Sequence, residues 1–248
     1  DGSLPINGPQ GELGVLYVTD VPEWAGLLVA AGCPVLVYVH EENKATTFPG
    51  IQYVIEGFEE TDKIYFQKVF YRLTGQPWHI LDTARCMVRE TVAEDLDAFY
   101  AIYMEPSITK YMENLNQDKR VQKGYLEDYA KKIYGFLGFG MWTVLLRETG
   151  EIIGRAGLDI REGFKEPELG FVIGLPWQRR GLAEEVCRAI ITYGFQELGL
   201  ESIRSIVDPD NLPSVELCSK LGDPFQEDVV LKGKTYTCFQ FFHELPLI

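Results

Sequence analysis

The sequence predicts an α/β chain built as two domains, on three observations. Short apolar runs at 14–20, 34–40 and 51–55 alternate with segments of helical periodicity up to residue 74, the pattern of a small parallel sheet. A stretch carrying Gly75 and Pro77 then breaks that alternation. Beyond it, hairpin signals and a strand–turn–helix segment continue towards the C-terminus, which predicts a larger second unit of strands and helices. The boundaries fall at 1–76 for the small α/β domain, 77–84 for a linker and 85–248 for the second domain.

Taken in order, residues 1–11 hold Gly, Pro, Asn and Ser and are expected to be poorly ordered. Residues 14–20 read as a buried strand, and 22–31 as a short helix with Pro22 in its first turn and Gly32 ending it. Two more strands follow at 34–40 and 51–55, with a loop between them. An amphipathic helix over 59–74 has Ile64, Val69 and Leu73 among its apolar positions. The second domain opens on a strand at 85–89. Thr91, with Glu94 three residues on, reads as a capping box that starts a helix through Met104. Residues 108–114 and 121–134 read as helical, and 135–140 as a flexible, aromatic-bearing loop. A hairpin joins 141–146 to 152–160 around a turn at Gly150. After a strand at 168–173 and a helix from Leu182 come a strand at 203–207 and a helix at 212–221. Strands at 229–231 and 235–243 close the chain around Lys232-Gly233-Lys234.

Composition narrows the function classes. The chain has 248 residues and is 46% hydrophobic, enough for a packed core. It has no run of about 18 uncharged apolar residues, so no transmembrane helix is expected. The N-terminal Asp1-Gly2-Ser3-Leu4-Pro5 lacks the basic and apolar regions of a secretory leader, and a soluble cytoplasmic protein is the expectation. Five scattered cysteines form no C-x-x-C pair, which argues against a zinc site or a disulfide framework. Net charge is −14, and residues 1–82 carry 11 acids against 4 bases, about twice the net negative charge per residue of the remainder. That balance disfavours nucleic acid as a partner and suits a cationic acceptor or simple solubility.

The second domain is organised around the segment from Glu168 to Tyr193. Leu169–Ile173 reads as a strand that Pro176 ends. A tight turn containing Gly181 follows, and then a helix with Val186, Ile190 and Tyr193 on one face. The first N–H groups of such a helix lack internal partners, and the helix dipole adds partial positive charge, so the turn is suited to an anion. Arg179 and Arg180 add full charges beside it. Neither G-x-x-x-x-G-K-[ST] nor G-x-G-x-x-G is present.

The run Gln178-Arg179-Arg180-Gly181-Leu182-Ala183 resembles the Q/R-x-x-G-x-G/A signature of the GNAT superfamily, the general N-acetyltransferases. Downstream, Asn211, Ser214, Lys220 and Gly222 resemble the N-x-x-S-x-x-x-x-x-K-x-G segment of the branch that acetylates N-terminal amines of ribosomal proteins. Upstream, residues 84–95 resemble that branch's opening strand and polar turn. The resemblance covers roughly 84–243. It implies the GNAT fold, a mixed and mostly antiparallel central sheet flanked by helices. It also implies acetyl-CoA as co-substrate with no metal. The expected partner is a small-molecule or peptide amine, with no nucleic acid and no membrane, and the chain is expected to act as a monomer or homodimer. A non-catalytic acyl-CoA-binding or sensor protein is the alternative. The first domain resembles the last part of a haloacid-dehalogenase-like phosphatase at Val18-Thr19-Asp20 and Ala30-Ala31-Gly32-Cys33-Pro34-Val35. No D-x-D nucleophile strand accompanies it, so a structural or docking role is expected.

The resemblance also assigns site residues. The turn from Gln178 to Ala183 would bind the pyrophosphate through backbone amides. The backbone of Phe171, Val172 and Ile173 would lie along the pantetheine arm. Glu168, at the entrance of that strand, reads either as the base for the amine or as a solvated strand-end acid. Asn211 reads as a pantetheine contact, a helix cap or both. Ser214 reads either as the acid for the leaving thiolate or as a group that orients CoA or caps the helix. Cys218 stands where many family members carry the tyrosine that protonates that thiolate. The acceptor pocket is expected to draw on one or two of Tyr111, Tyr134, Phe136, Phe139 and Trp142.

Overall fold

The structure, a computed structural model, describes residues 2–7, 13–59, 61–222 and 224–243. The chain divides into two compact units, Asp1–Trp78 and His79–Ile248.

The first unit contains β1 (Gly2–Asn7), β2 (Leu13–Thr19), α1 (Pro22–Ala30), β3 (Val35–Tyr38), β4 (Tyr53–Ile55) and α2 (Lys63–Leu73). Its sheet runs β1-β2-β3-β4, with β2, β3 and β4 parallel and β1 antiparallel on β2. The opening residues therefore include an edge strand rather than only a loose tail, and the sheet is mixed rather than all parallel. Helices cover both faces. Leu16, Leu36 and Ile55 pack on Val69 and Phe70 of α2, while Val35 and Val37 face Ala25 of α1. That double burial explains the unbroken apolar run in β3. Gly14 is required by close approach, since a Cβ there would sit 2.1 Å from the Phe70 ring. Helix α2 starts at 63 because the Asp62 carboxylate caps it, accepting the Tyr65 N–H at 2.7 Å.

The second unit contains β5 (His79–Asp82), β6 (Cys86–Arg89), α3 (Leu96–Tyr103), α4 (Pro106–Thr109), α5 (Lys119–Tyr129), α6 (Gly135–Leu137), β7 (Met141–Leu146), β8 (Ile152–Asp159), β9 (Glu168–Ile173), α7 (Leu182–Gln196), β10 (Ser202–Val207), α8 (Leu212–Lys220), β11 (Phe225–Leu231) and β12 (Lys234–Phe242). The eight-stranded sheet runs β11-β12-β10-β9-β8-β7-β6-β5. Every pairing is antiparallel except β9 with β10. The segment expected as a linker thus supplies the edge strand β5. On one face Leu182, Val186 and Ile190 of α7 join Trp142, Leu158 and Leu169 in the main core. On the other, Phe99 and Ile102 of α3 and Leu126 of α5 build smaller clusters. No helix among the described residues is long and apolar enough to cross a membrane.

Three local readings change. Thr91 does not cap a helix. Its hydroxyl is buried and shares a hydrogen bond of 2.9 Å with Thr143. Asp95 does the capping instead, reaching back to accept the Val92 N–H at 3.1 Å, and a 3₁₀ turn over Ala93–Asp95 leads into α3. Helix α5 ends in a π turn, Ala130–Tyr134, and α6 follows where a flexible loop was expected. Tyr129, just before this π turn, and Tyr134, its last residue, fasten the first residue of β7. The Met141 N–H donates to the Tyr129 oxygen at 2.8 Å, and the Tyr134 hydroxyl donates to the Met141 carbonyl at 2.5 Å.

The buried junction of β6, β7 and α3 rests on Asp95. It accepts from Arg89 at 2.6 and 2.8 Å and from the Thr143 hydroxyl at 2.7 Å, with its side chain 3% exposed. Asp95→Ala leaves the Arg89 guanidinium without its carboxylate in that junction. It is expected to lower stability by about 3–5 kcal/mol in denaturant unfolding.

Candidate active site

The parallel neighbours β9 and β10 pair at a single register position, Glu168 with Arg204. Past that point β9 follows β8, held there through Ile173 opposite Gly154 and by the Gly174 N–H donating to the Ile153 carbonyl at 2.8 Å. The two strands separate, and a cleft of about 2320 Å³ lies along the opening. From Phe171 to Ile173 the edge of β9 facing β10 has no ladder partner among the described residues. Phe171 is half-buried, whereas the side chains of Val172 and Ile173 are buried in the cores on opposite faces.

At one end of the cleft a 3₁₀ turn, Leu175–Trp177, leads into the start of α7. Arg179 (φ 58°) and Gly181 (φ 75°) both adopt left-handed backbone, and α7 starts at Leu182 with no side-chain cap. Its leading amides are therefore open to a ligand. Arg179, Arg180 and Gly181 are exposed. The Gln178 amide donates to the Ile173 carbonyl at 2.8 Å, so that side chain braces the turn. Arg85 ties the turn to β6: its guanidinium donates to the Arg180 carbonyl at 2.8 Å and to Glu185 at 2.6 Å.

Across the opening stands α8. Asn211 holds the N-cap position, but its side chain makes no capping bond, which corrects the capping expectation, and it faces the cleft together with Ser214. Cys218 is fully buried, its Sγ 3.6 Å from the Ser205 hydroxyl, which donates to the Leu169 carbonyl at 3.1 Å. Burial pushes the Cys218 thiol up to about 11, despite the lowering bond to Ser205.

The other end is acidic. Glu168 and Asp159 are register partners on the face of the sheet that carries α3 and α5. The Glu168 side chain is 13% exposed, and both its oxygens accept from Arg161, one of them at 2.7 Å from Nη2. Asp159 accepts only the Ile160 N–H, at 2.9 Å, among the described bonds. Burial raises the Asp159 carboxyl above its usual range, outweighing that bond and the charges of Arg155 and Arg161. Burial likewise pushes Tyr134 up to about 12 and Tyr129 higher still, so both remain neutral phenols.

Of the five aromatics expected at the acceptor pocket, Tyr111 alone lines the cleft, and its hydroxyl donates to the Asp210 carbonyl at 2.9 Å. Tyr134, Phe139 and Trp142 belong to the core, and Phe136 is 88% exposed. Sequence reasoning missed Tyr129, Arg155, Asp159 and Arg161, all of which line the cleft. A signal for one was present: Arg155 interrupts an otherwise apolar and glycine run, Ile153–Leu158, in a buried strand.

A sheet parted at its one parallel step, with a helix start open on one side and carboxylates on the other, is the arrangement that the resemblance to the general N-acetyltransferases implies. The model of the acetyltransferase (GNAT) domain family matches residues 85–223. The uncharacterized N-acetyltransferase YoaA of Bacillus subtilis (strain 168) is 31% identical over 163 residues, spanning 63% of this chain and 88% of that one. An acetyltransferase structure from Agrobacterium tumefaciens superposes with a TM-score of 0.56 at 24% identity, over 66% of this chain and 94% of that one. The ribosomal-protein-S5-alanine acetyltransferase of Vibrio fischeri gives 0.57 at 15% identity, over 66% and 96%. The chain belongs to the GNAT acetyltransferase family and is an N-acetyltransferase; a purely sensory role is not favoured.

Two outcomes test these surroundings. With its thiol near 11, Cys218 is about one part in a thousand thiolate at pH 8. Iodoacetamide treatment of the native protein at that pH, read by mass spectrometry, is expected to leave Cys218 unmodified while the partly exposed Cys33 reacts. Asp159 is held above its usual value, so its contribution to stability is full below the unfolded pKa and is lost as pH rises through the folded one. Asp159→Asn is therefore expected to melt above wild type at neutral pH and level with it in strong acid.

Proposed function

We propose that the chain moves the acetyl group of acetyl-CoA directly to a primary amine of a small molecule or a peptide N-terminus. The parting of β9 from β10 beyond Glu168 carries this reading, because it opens main-chain groups beside an uncapped helix start. Acetyl-CoA, when bound, supplies an activated thioester. The amides of Gly181, Leu182 and Ala183 face its diphosphate, with Arg179 and Arg180 adding charge. Gln178 holds the turn in shape through Ile173. Backbone groups of Phe171, Val172 and Ile173 align the pantetheine arm, and Asn211 and Ser214 bound it from α8.

Glu168 takes the amine proton, directly or through water, while Asp159 opposite it draws the ammonium in. Arg161 fixes the Glu168 carboxylate in the cleft. Ser214 serves the leaving thiolate, since Cys218 is buried and protonated. The named substrate of one structural neighbour, an alanine of a ribosomal protein, supports a peptide acceptor. Five free cysteines suit a cytoplasmic setting, in which the chain acts as a monomer or homodimer.

Glu168→Gln is expected to slow CoA release by on the order of a hundredfold with saturating amine, with CoA affinity by calorimetry unchanged. Equal loss of turnover and affinity would remove the assigned role. A wild-type protein that gives no heat with CoA would remove the reading itself.

A further inference from the structure

Arg155 has no partner in the site as described so far. It stands on β8, is 8% exposed and lines the cleft. Its guanidinium lies 4.9 Å from the ring centre of Phe99 on α3. Nε is buried with no hydrogen-bond partner, and among the described residues no hydrogen bond or ion pair involves the side chain. The unit treats the buried Arg204 and the partly buried Arg89 differently. Arg204, 5% exposed, is paired with Glu166 and stacked over Phe164, and Arg89 is paired with Asp95. A buried cation left without an anion is costly, and a fold keeps one where something else brings the negative charge.

The surroundings show what kind of molecule would bring it. Strand alternation puts Arg155, Gly157 and Asp159 on one face of β8, opposite Val172, Gly170 and Glu168 of β9. Arg155 is thus at one end of this face and the carboxylates at the other. The Arg155 and Asp159 Cα atoms are about 13 Å apart by strand rise. Gly157 and Gly170 lie between them, and the Gly140 carbonyl covers Gly157, 2.1 Å from where a Cβ would be. A Cβ on Gly170 would come within 3.1 Å of the Met141 sulfur, so Met141 roofs that middle section. The charged groups facing Asp159 are Arg155 on its own strand, Arg161 and Glu168, with the neutral Tyr129 phenol on α5. Arg161 is already committed to Glu168, which leaves Arg155 as the cation free to meet a ligand.

We propose that the acceptor carries a carboxylate as well as its amine, and that Arg155 is the counter-ion of that carboxylate while the amine lies at Asp159 and Glu168. This inference rests on the amine-acetylation reading above. The planar guanidinium matches a carboxylate through paired N–H donors. The substrate class is an amino carboxylate, supplied either as a free amino acid or as a peptide with an acidic residue near its N-terminus. Acetylation removes the ammonium charge, so the product keeps its hold on Arg155 and loses its hold on the acidic end, which favours release.

The test measures CoA release with saturating acetyl-CoA for matched pairs. One pair is a free amino acid and its amide; the other is a peptide with Asp at its second position and the same peptide with Asn. Wild type is expected to favour the carboxylate member of at least one pair by roughly tenfold to a hundredfold in kcat/KM, and which pair responds identifies the source. Arg155→Met is expected to bring that preference close to one, chiefly through KM, and Arg155→Lys to restore part of it. Arg155→Met is also expected to melt no lower than wild type, because it replaces an unpaired buried charge with an apolar chain of similar length. Equal use of both members in both pairs by wild type would overturn the proposal while leaving amine acetylation standing. So would a preference that survives Arg155→Met, or a lowered melting point in that variant, which would mark the guanidinium as structural. A wild type that binds CoA yet releases none with any of these amines would overturn both the acetylation reading and this inference.

Discussion

The second unit depends on one constraint: β9 cannot pair with both neighbours along its whole length. β8 holds it from Glu168 to Ile173, and β10 holds it at Glu168 alone. Unpaired backbone groups are tolerated only where water or a ligand can reach them, so the gap has to stay open. Everything around it follows that requirement. Helix α7 caps one end with a start that has no side-chain cap, and α8 lines the far bank with Asn211 and Ser214. The main core, which takes residues from α7 and α8, packs against β8 and β9.

The acidic end shows how the fold sets two carboxylates to different conditions within one register pair. Glu168 is locked to Arg161 on both oxygens, whereas Asp159 has one backbone donor and a raised carboxyl. A paired acid is fixed in direction. Burial leaves the Asp159 carboxyl easier to protonate than a solvated one.

Much of this was legible in the residues. The strand–turn–helix around Gly181 could be read because a proline, a left-handed glycine and an apolar helical stripe leave few other options. The hairpin about Gly150 was readable for the same reason. Asp95 was not, because its capping role depends on Arg89 and Thr143, which a linear motif does not bring together. Thr91 satisfied the capping pattern locally and lost that role to a tertiary hydrogen bond. The edge strands β1 and β5 were hidden because pairing, rather than apolar periodicity, defines them. The acceptor end was the least readable part: Tyr129 on α5 meets Arg155 and Asp159 on β8 only through the tertiary fold.

Arg85 stands at the head of β6, yet it holds the Arg180 carbonyl and Glu185 from a hundred residues away. The turn that the proposed function gives to the diphosphate is therefore already braced by a covalently distant strand. A nucleotide arriving there would find little backbone freedom left to quench, so its affinity would be gained mainly from contacts, with a small entropic penalty for ordering the protein.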